Sequence, residues 1–263
     1  MRRKKDKTII RDPAGALRAR EQLRAWYASP LGQALLEFER SELDKVLPSL
    51  FGFYLVQVGA VMDEYLLGSS RVRLHIVVDD KRRITEAPDA PGHVLGVLAH
   101  SPVLPVQSDS VDVVVLPHTL EFETAPHDTL REVERILVAE GHAVILGFNP
   151  FSLWGLWRLF RWNRRAHPPW HGAFRSMLRI KDWLALLGFD IVLIRTFFFR
   201  PPLRHVGMMR RLAWLERLGG RLWPYLGGAY IIVARKRVVT LTPIKPRWRP
   251  RRSLLPDVAK PTT

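Results

Sequence analysis

Five short apolar runs dominate the first 150 positions, and they constrain the fold more than any other feature. They are Phe53–Val58 closed by Gly59, Val72–Val78 ending in Asp79-Asp80, Val94–Leu98, Val111–Leu116, and Ala143–Leu146. Each is too short for a buried helix, long enough for a strand, and rich in β-branched residues. Between the fourth and fifth, Asp128–Val138 has helical spacing, with Leu130, Val133, Ile136 and Leu137 on one side and charged residues elsewhere. Glu140-Gly141 stops it. Strands alternating with helices or loops predict a mostly parallel sheet, and near-continuous apolar strands predict that both its faces are covered. Residues 174–187 form a further helix, with Met177, Ile180, Leu184 and Leu187 on one face and Gly188 as its stop. Ile191–Phe199 and Tyr230–Val233 complete a set of seven strands.

Ahead of the strands, residues 14–47 read as helical, split at Ser29-Pro30 and ended by Pro48. The expected organisation is a basic disordered tail over 1–11, a helical cap over 12–50, and an α/β domain over 51–238 with insertions at 151–172 and 201–228. A basic, proline-rich disordered tail then spans 239–263. The connection 81–92 is too short and too rich in Pro and Gly for a normal helix.

The 263 residues contain no cysteine, which removes disulfides, thiolate metal sites and thiol nucleophiles and fits a reducing cytoplasm. No apolar run is long enough to span a bilayer, and the basic start lacks the apolar region of a signal peptide, so a cytoplasmic location is expected. The nine histidines show no ligand spacing, so no metal site is expected. The net charge of +16 is unevenly placed. Residues 51–150 carry −7, whereas 151–235 carry +12. An acidic centre in a basic shell points to an anionic partner or to simple solubility.

Three motifs in order carry a family resemblance. Leu104-Pro105-Val106 followed by Asp109-Ser110-Val111-Asp112-Val113-Val114, then Arg131–Leu137 with Glu140-Gly141-His142, then Leu187-Gly188-Phe189-Asp190-Ile191, resemble the corresponding segments of class I S-adenosylmethionine-dependent methyltransferases of the type 11 group. The resemblance covers about residues 51–238. It implies a Rossmann-like α/β fold with a seven-stranded, mostly parallel sheet flanked by helices, preceded by N-terminal helices and carrying lid insertions. It also implies S-adenosylmethionine as cofactor and methyl transfer as activity.

The resemblance places the cofactor beyond the carboxyl ends of the strands. After the first strand the family carries an acidic residue and several glycines; here the segment is Gln57-Val58-Gly59-Ala60-Val61-Met62, with Gly59 alone remaining. Asp79 and Asp80 stand where the family holds the ribose hydroxyls, and a carboxylate suits two adjacent donors. The alternative for them is a solvated turn. His100 and Ser101 fall where adenine is contacted. Pro117 and His118 follow the fourth strand, in the loop that lies over the methyl donor. His118 is the candidate general base, its ordinary pKa lying near neutrality, or else a loop residue bonding backbone. Trp26-Tyr27 matches an aromatic stretch that covers the cofactor in the family, where a ring face can attract a sulfonium cation; a core anchor is the alternative.

The insertions are aromatic and cationic. Ser152 can cap a helix over 153–162 with Leu153, Leu156, Trp157 and Phe160 on one face, and Trp154, Arg158, Arg161 and Arg165 on another. Residues 201–228 carry Arg204, Arg210, Arg211, Arg217 and Arg221 with Trp214 and Trp223. Such a lid can grip an anionic or nucleic-acid acceptor, lie peripherally on a membrane surface, or simply pack on the domain. The leading expectation is a methyltransferase with an unidentified acceptor. The shortened glycine pattern supports a second: a methyltransferase-like protein that has lost catalysis and binds RNA, an anionic membrane surface or a protein partner through its basic regions.

Overall fold

The computed structural model describes residues 13–59, 66–79, 93–99, 101–160, 172–202, 211–212 and 214–238. Two helices, α1 (Pro13–Tyr27) and α2 (Pro30–Val46), precede strands β1 (Tyr54–Val58), β2 (Leu74–Asp79), β3 (His93–Leu98) and β4 (Val111–Pro117). Then come α3 (Thr119–Phe122), α4 (Pro126–Ile136), β5 (Leu137–Phe148), α5 (Leu153–Phe160), α6 (Met177–Leu186), β6 (Phe189–Phe197), α7 (Trp214–Leu222) and β7 (Ala229–Lys236). The expected disordered tails, the connection 81–92, Arg161, Arg165, Arg204 and Arg210 lie outside the described residues.

The strands form one sheet in the order β3-β2-β1-β4-β5-β7-β6, parallel except for β7, which runs antiparallel to both β5 and β6. Alternate residues serve opposite faces, as the two-residue strand repeat requires. Leu55, Val113, Val115, Val144 and Leu146 join one core with Leu23, Leu35, Leu43 and Leu47 of the N-terminal segment. Val56, Val114, Leu116, Ala143 and Ile145 join the other, beneath Leu130 and Val133 of α4 and Ile180 and Leu184 of α6. The apolar runs are continuous because both faces are covered. β3, at the edge, departs from that expectation: Leu95 and Leu98 are exposed.

Local chemistry sets the element ends. Ser29 caps α2 by accepting from Gly32 N at 3.2 Å, with Pro30 at the first helical position. Ser176 caps α6 in the same way through Arg179 N, and Gly188, at φ +81°, ends that segment in the left-handed region. β5 begins earlier than the sequence predicts. It starts directly at Leu137, and Val111 pairs with Leu137 while Val113 pairs with His142. The extra residues bulge at Glu140, φ +63°, and Gly141, where a Cβ would stand 2.9 Å from Val138 O. Thus Glu140-Gly141 ends no helix; it bends a strand.

The α5 helix corrects the sequence reading of its faces. Trp154, placed on the face of Arg158, is only 1% exposed, whereas Leu153 and Leu156 of the apolar face are 47% and 49% exposed and Trp157 of that face is half-buried against the core. Gly155 explains the inversion, because its missing side chain lets the helix lie against Pro150, whose carbonyl oxygen a Cβ would approach to 1.8 Å. Trp154 then stacks on Phe148, meets Trp26 and Phe198 edge-on, and donates its Nε1–H to Arg200 O at 2.8 Å. Ser152 meets the capping expectation through Gly155 N at 3.3 Å.

Candidate active site

β1 lies between β2 and β4, so its carboxyl end is the point where strand order reverses. Gly59 follows β1 at φ +85° and donates its N–H to Val78 O of β2 at 2.8 Å. A Cβ there would come within 2.9 Å of Thr119 Oγ1, which in turn bonds Val58 O. Gln57, where the family has an acid, is buried and donates Nε2–H to Gly59 O at 3.0 Å. It braces the turn from below. Ala60, Val61 and Met62 lie outside the described residues.

α1 crosses these strand ends. Arg20, Arg24 and Tyr27 fall at i, i+4 and i+7, one helix face. Arg24 pairs with Asp79 at the end of β2. Arg20 pairs with Glu123 and reaches Ser101 Oγ at 3.4 Å. The structure therefore brings Asp79 and Ser101 beneath one helix, with Gly59 bonded to Val78 next to Asp79; Asp80 and His100 lie outside the described residues. Trp26 is half-buried and packs edge-on against Tyr27, Phe148 and Trp154.

Pro117 ends β4 and is buried. The next residue takes a setting the sequence does not predict. His118 adopts φ +51° and is fully buried. Its Nδ1 donates to Glu121 at 2.9 Å and its Nε2 to Glu39 at 2.8 Å, while the ring lies 4.2 Å from that of Phe148. Burial alone would lower its pKa; the two carboxylates and the hydrogen bonds to them overcome this and raise it to about 10. The imidazole is held as a cation with both nitrogens engaged. This corrects the expectation of a general base, for neither nitrogen is left to take a proton from an acceptor.

The cluster extends in both directions. Tyr27 donates its hydroxyl to Glu39 at 2.9 Å, and burial together with Glu39 raises its pKa so that the proton stays. Glu121 also accepts Phe148 N. A chain of polar contacts thus runs from α1 through α2, the β4 turn and α3 to β5, pinning the helical cap onto the sheet. Arg158 and Arg175 also interact electrostatically with Glu121, so cations border the cluster on its α3 side. Sequence reasoning missed Arg20, Arg24, Glu39, Glu121 and Glu123. The spacing of Arg20, Arg24 and Tyr27 offers a helix-face signal; nothing local links residue 39 to 118 or 121.

Residues 78–145 match the model of a methyltransferase domain. The chain is 32% identical over 217 residues to YafS, an uncharacterised protein of Escherichia coli, covering 82% of each. Among solved structures it is similar to an S-adenosylmethionine-dependent methyltransferase of Thermotoga maritima, with a TM-score of 0.57, 18% identity, and coverage of 82% of this chain and 95% of that one. It is also similar to one from Archaeoglobus fulgidus, with a TM-score of 0.51, 18% identity, and coverage of 76% and 94% respectively.

Proposed function

Since the chain belongs to the class I S-adenosylmethionine-dependent methyltransferases of the type 11 group, whose cofactor is S-adenosylmethionine, we propose that it is an active enzyme of that kind, transferring the methyl group to an acceptor bound beside α3 and α5. The observation that carries this reading is the meeting of Gly59, Asp79 and the His118 cluster at the strand-order switch.

These residues fit the cofactor. Gly59 lets backbone approach a ligand where a Cβ would already crowd Thr119. The carboxylate of Asp79 suits paired ribose hydroxyls, with Arg24 giving way or turning to the methionine carboxylate. Ser101 offers a hydroxyl to the adenine side. S-Adenosylmethionine supplies an activated methyl on a sulfonium when bound. His118 acts by positioning: it holds α2 and the β4 turn together rather than moving a proton. Rate enhancement then comes chiefly from alignment and exclusion of water. Where the shortened glycine pattern begins, Gln57 bonds Gly59 O and Thr119 bonds Val58 O.

Isothermal titration with S-adenosylmethionine and S-adenosylhomocysteine tests the reading. Binding to the wild type is expected, weakened about 10- to 100-fold in Asp79→Asn, the range for losing a charged hydrogen-bond acceptor. Absence of binding at millimolar ligand to the folded wild type would overturn it.

A further inference from the structure

The α7 helix packs inward through the side that a fold needs and leaves its other side bare. Gly219 abuts Phe199, where a Cβ would come within 2.4 Å of the ring. Glu216 pairs with Arg200 at 3.2 Å and accepts Phe199 N at 3.0 Å. Trp214, Leu218 and Leu222, at i, i+4 and i+8, form the opposite ridge, and they are 54%, 38% and 54% exposed. The chain leaving the helix continues the same character with Trp223, Tyr225 and Leu226, all exposed. Tyr225 and Leu226 line a cleft of about 730 Å³ together with the exposed Phe151 and Leu178. The apolar surface therefore runs from α7 across the mouth of this cleft. The cleft lies beside β6, at the edge of the sheet and three strands from β4, so it is distinct from the cofactor site.

On its α7 side the charge is one-signed. Glu216 is the only acidic residue between 191 and 235, and it is turned inward to Arg200. Arg211 and Arg221 are exposed on α7 or just before it, and Lys181 stands at the cleft. An apolar surface bordered on its α7 side by cations alone, with Asp182 exposed beside Lys181 on the α6 side, is a surface that water does not favour.

We propose that this face docks on an anionic lipid bilayer, with Trp214, Leu218, Leu222 and Trp223 entering the headgroup region and Arg211 and Arg221 meeting lipid phosphates. The side-chain types select a bilayer over nucleic acid. Base stacking uses aromatic rings, and Leu218, Leu222 and Leu226 have no task on a single strand, whereas interfacial helices use leucine and tryptophan together above a basic flank. The docked face turns the mouth of the cleft toward the bilayer.

The experiment uses the full chain in flotation with vesicles of phosphatidylcholine alone and of phosphatidylcholine mixed with phosphatidylglycerol. Binding to the mixed vesicles is expected. It should fall about tenfold in L218S/L222S, from lost apolar contact, and by a similar factor in R211Q/R221Q. Emission of the wild-type tryptophans should be quenched by lipid brominated in its acyl chains, and less so in W214F/W223F; this readout stands even if the serine variant fails to fold. No binding to mixed vesicles overturns the proposal. So does binding that folded L218S/L222S keeps undiminished, which would assign it to the basic ends of the sequence. Loss of self-association, or of RNA binding, in L218S/L222S with vesicle affinity unchanged also overturns it, in favour of a second copy or of nucleic acid.

Discussion

The buried His118 gives folding a pH dependence with a defined sign. In the unfolded chain an imidazole releases its proton near pH 6.5; in the folded protein it keeps it to about 10. Below 6.5 both states are protonated and the contribution to stability is complete. Between 6.5 and about 10 the folded state binds more protons, so stability falls as pH rises, and above that the contribution is gone. The difference corresponds to roughly 5 kcal/mol at 1.4 kcal/mol per unit. That is an upper bound, because burying Glu39 and Glu121 offsets part of it. Neighbouring groups leave this window open. Burial lowers the pKa of His75 and His142, so their effect lies below 6.5. Burial raises Tyr27 and Tyr230, whose effect begins near 10, and there is no cysteine to titrate between them. Urea unfolding followed by circular dichroism from pH 6.5 to 9.5 should show a steady loss of several kcal/mol in the wild type. His118→Gln should flatten that slope and be about 3–5 kcal/mol less stable at pH 7, since it strands two carboxylates in a dry core. An equal slope in variant and wild type would refute the cationic assignment.

Other substitutions probe separate parts of the fold. Gly59→Val places a branched side chain at φ +85° against Thr119, and should abolish cofactor binding and cost about 1–3 kcal/mol; calorimetric titration and thermal unfolding check both. Glu39→Gln removes one of the two carboxylates that raise the His118 pKa, so the loss of stability between pH 6.5 and 9.5 should shrink, measured by urea unfolding. Trp154→Ala should cost about 3–5 kcal/mol in urea unfolding, because the ring fills the space between Trp26, Phe148 and Phe198. Lys236 donates to Glu134 O and Leu137 O at the end of α4 and to Asp109; Lys236→Met should lower stability by about 1–3 kcal/mol by the same measure.

The parts of this molecule that sequence reveals are those where one residue's neighbours in the chain are also its reasons. Val111–Pro117 reads as a strand because its β-branched residues serve both cores in turn, and Leu130, Val133 and Ile136 read as a helix face because they lie on one. The position of β7 between β5 and β6 is different in kind, for it depends on pairing across some 85 positions that no local period records. So does the orientation of α5, where the missing Cβ at Gly155 lets Trp154 turn inward and leaves Leu153 and Leu156 exposed. The candidate site divides along the same line. Gly59, Asp79, Ser101 and His118 could be marked because each sits at a strand end. The meaning of His118 could not, because the two carboxylates that fix its proton come from α2 and α3, and one of them is 79 positions away. A histidine at a strand tip is compatible with either a base or a buried cation. Two acids, rather than water and one, decide between them, and only the packing of α2 over the β4 turn brings the second within 2.8 Å. The same packing makes the helical cap a part of the site rather than an appendage, which is why variants at Glu39 should be read in cofactor affinity as well as in stability.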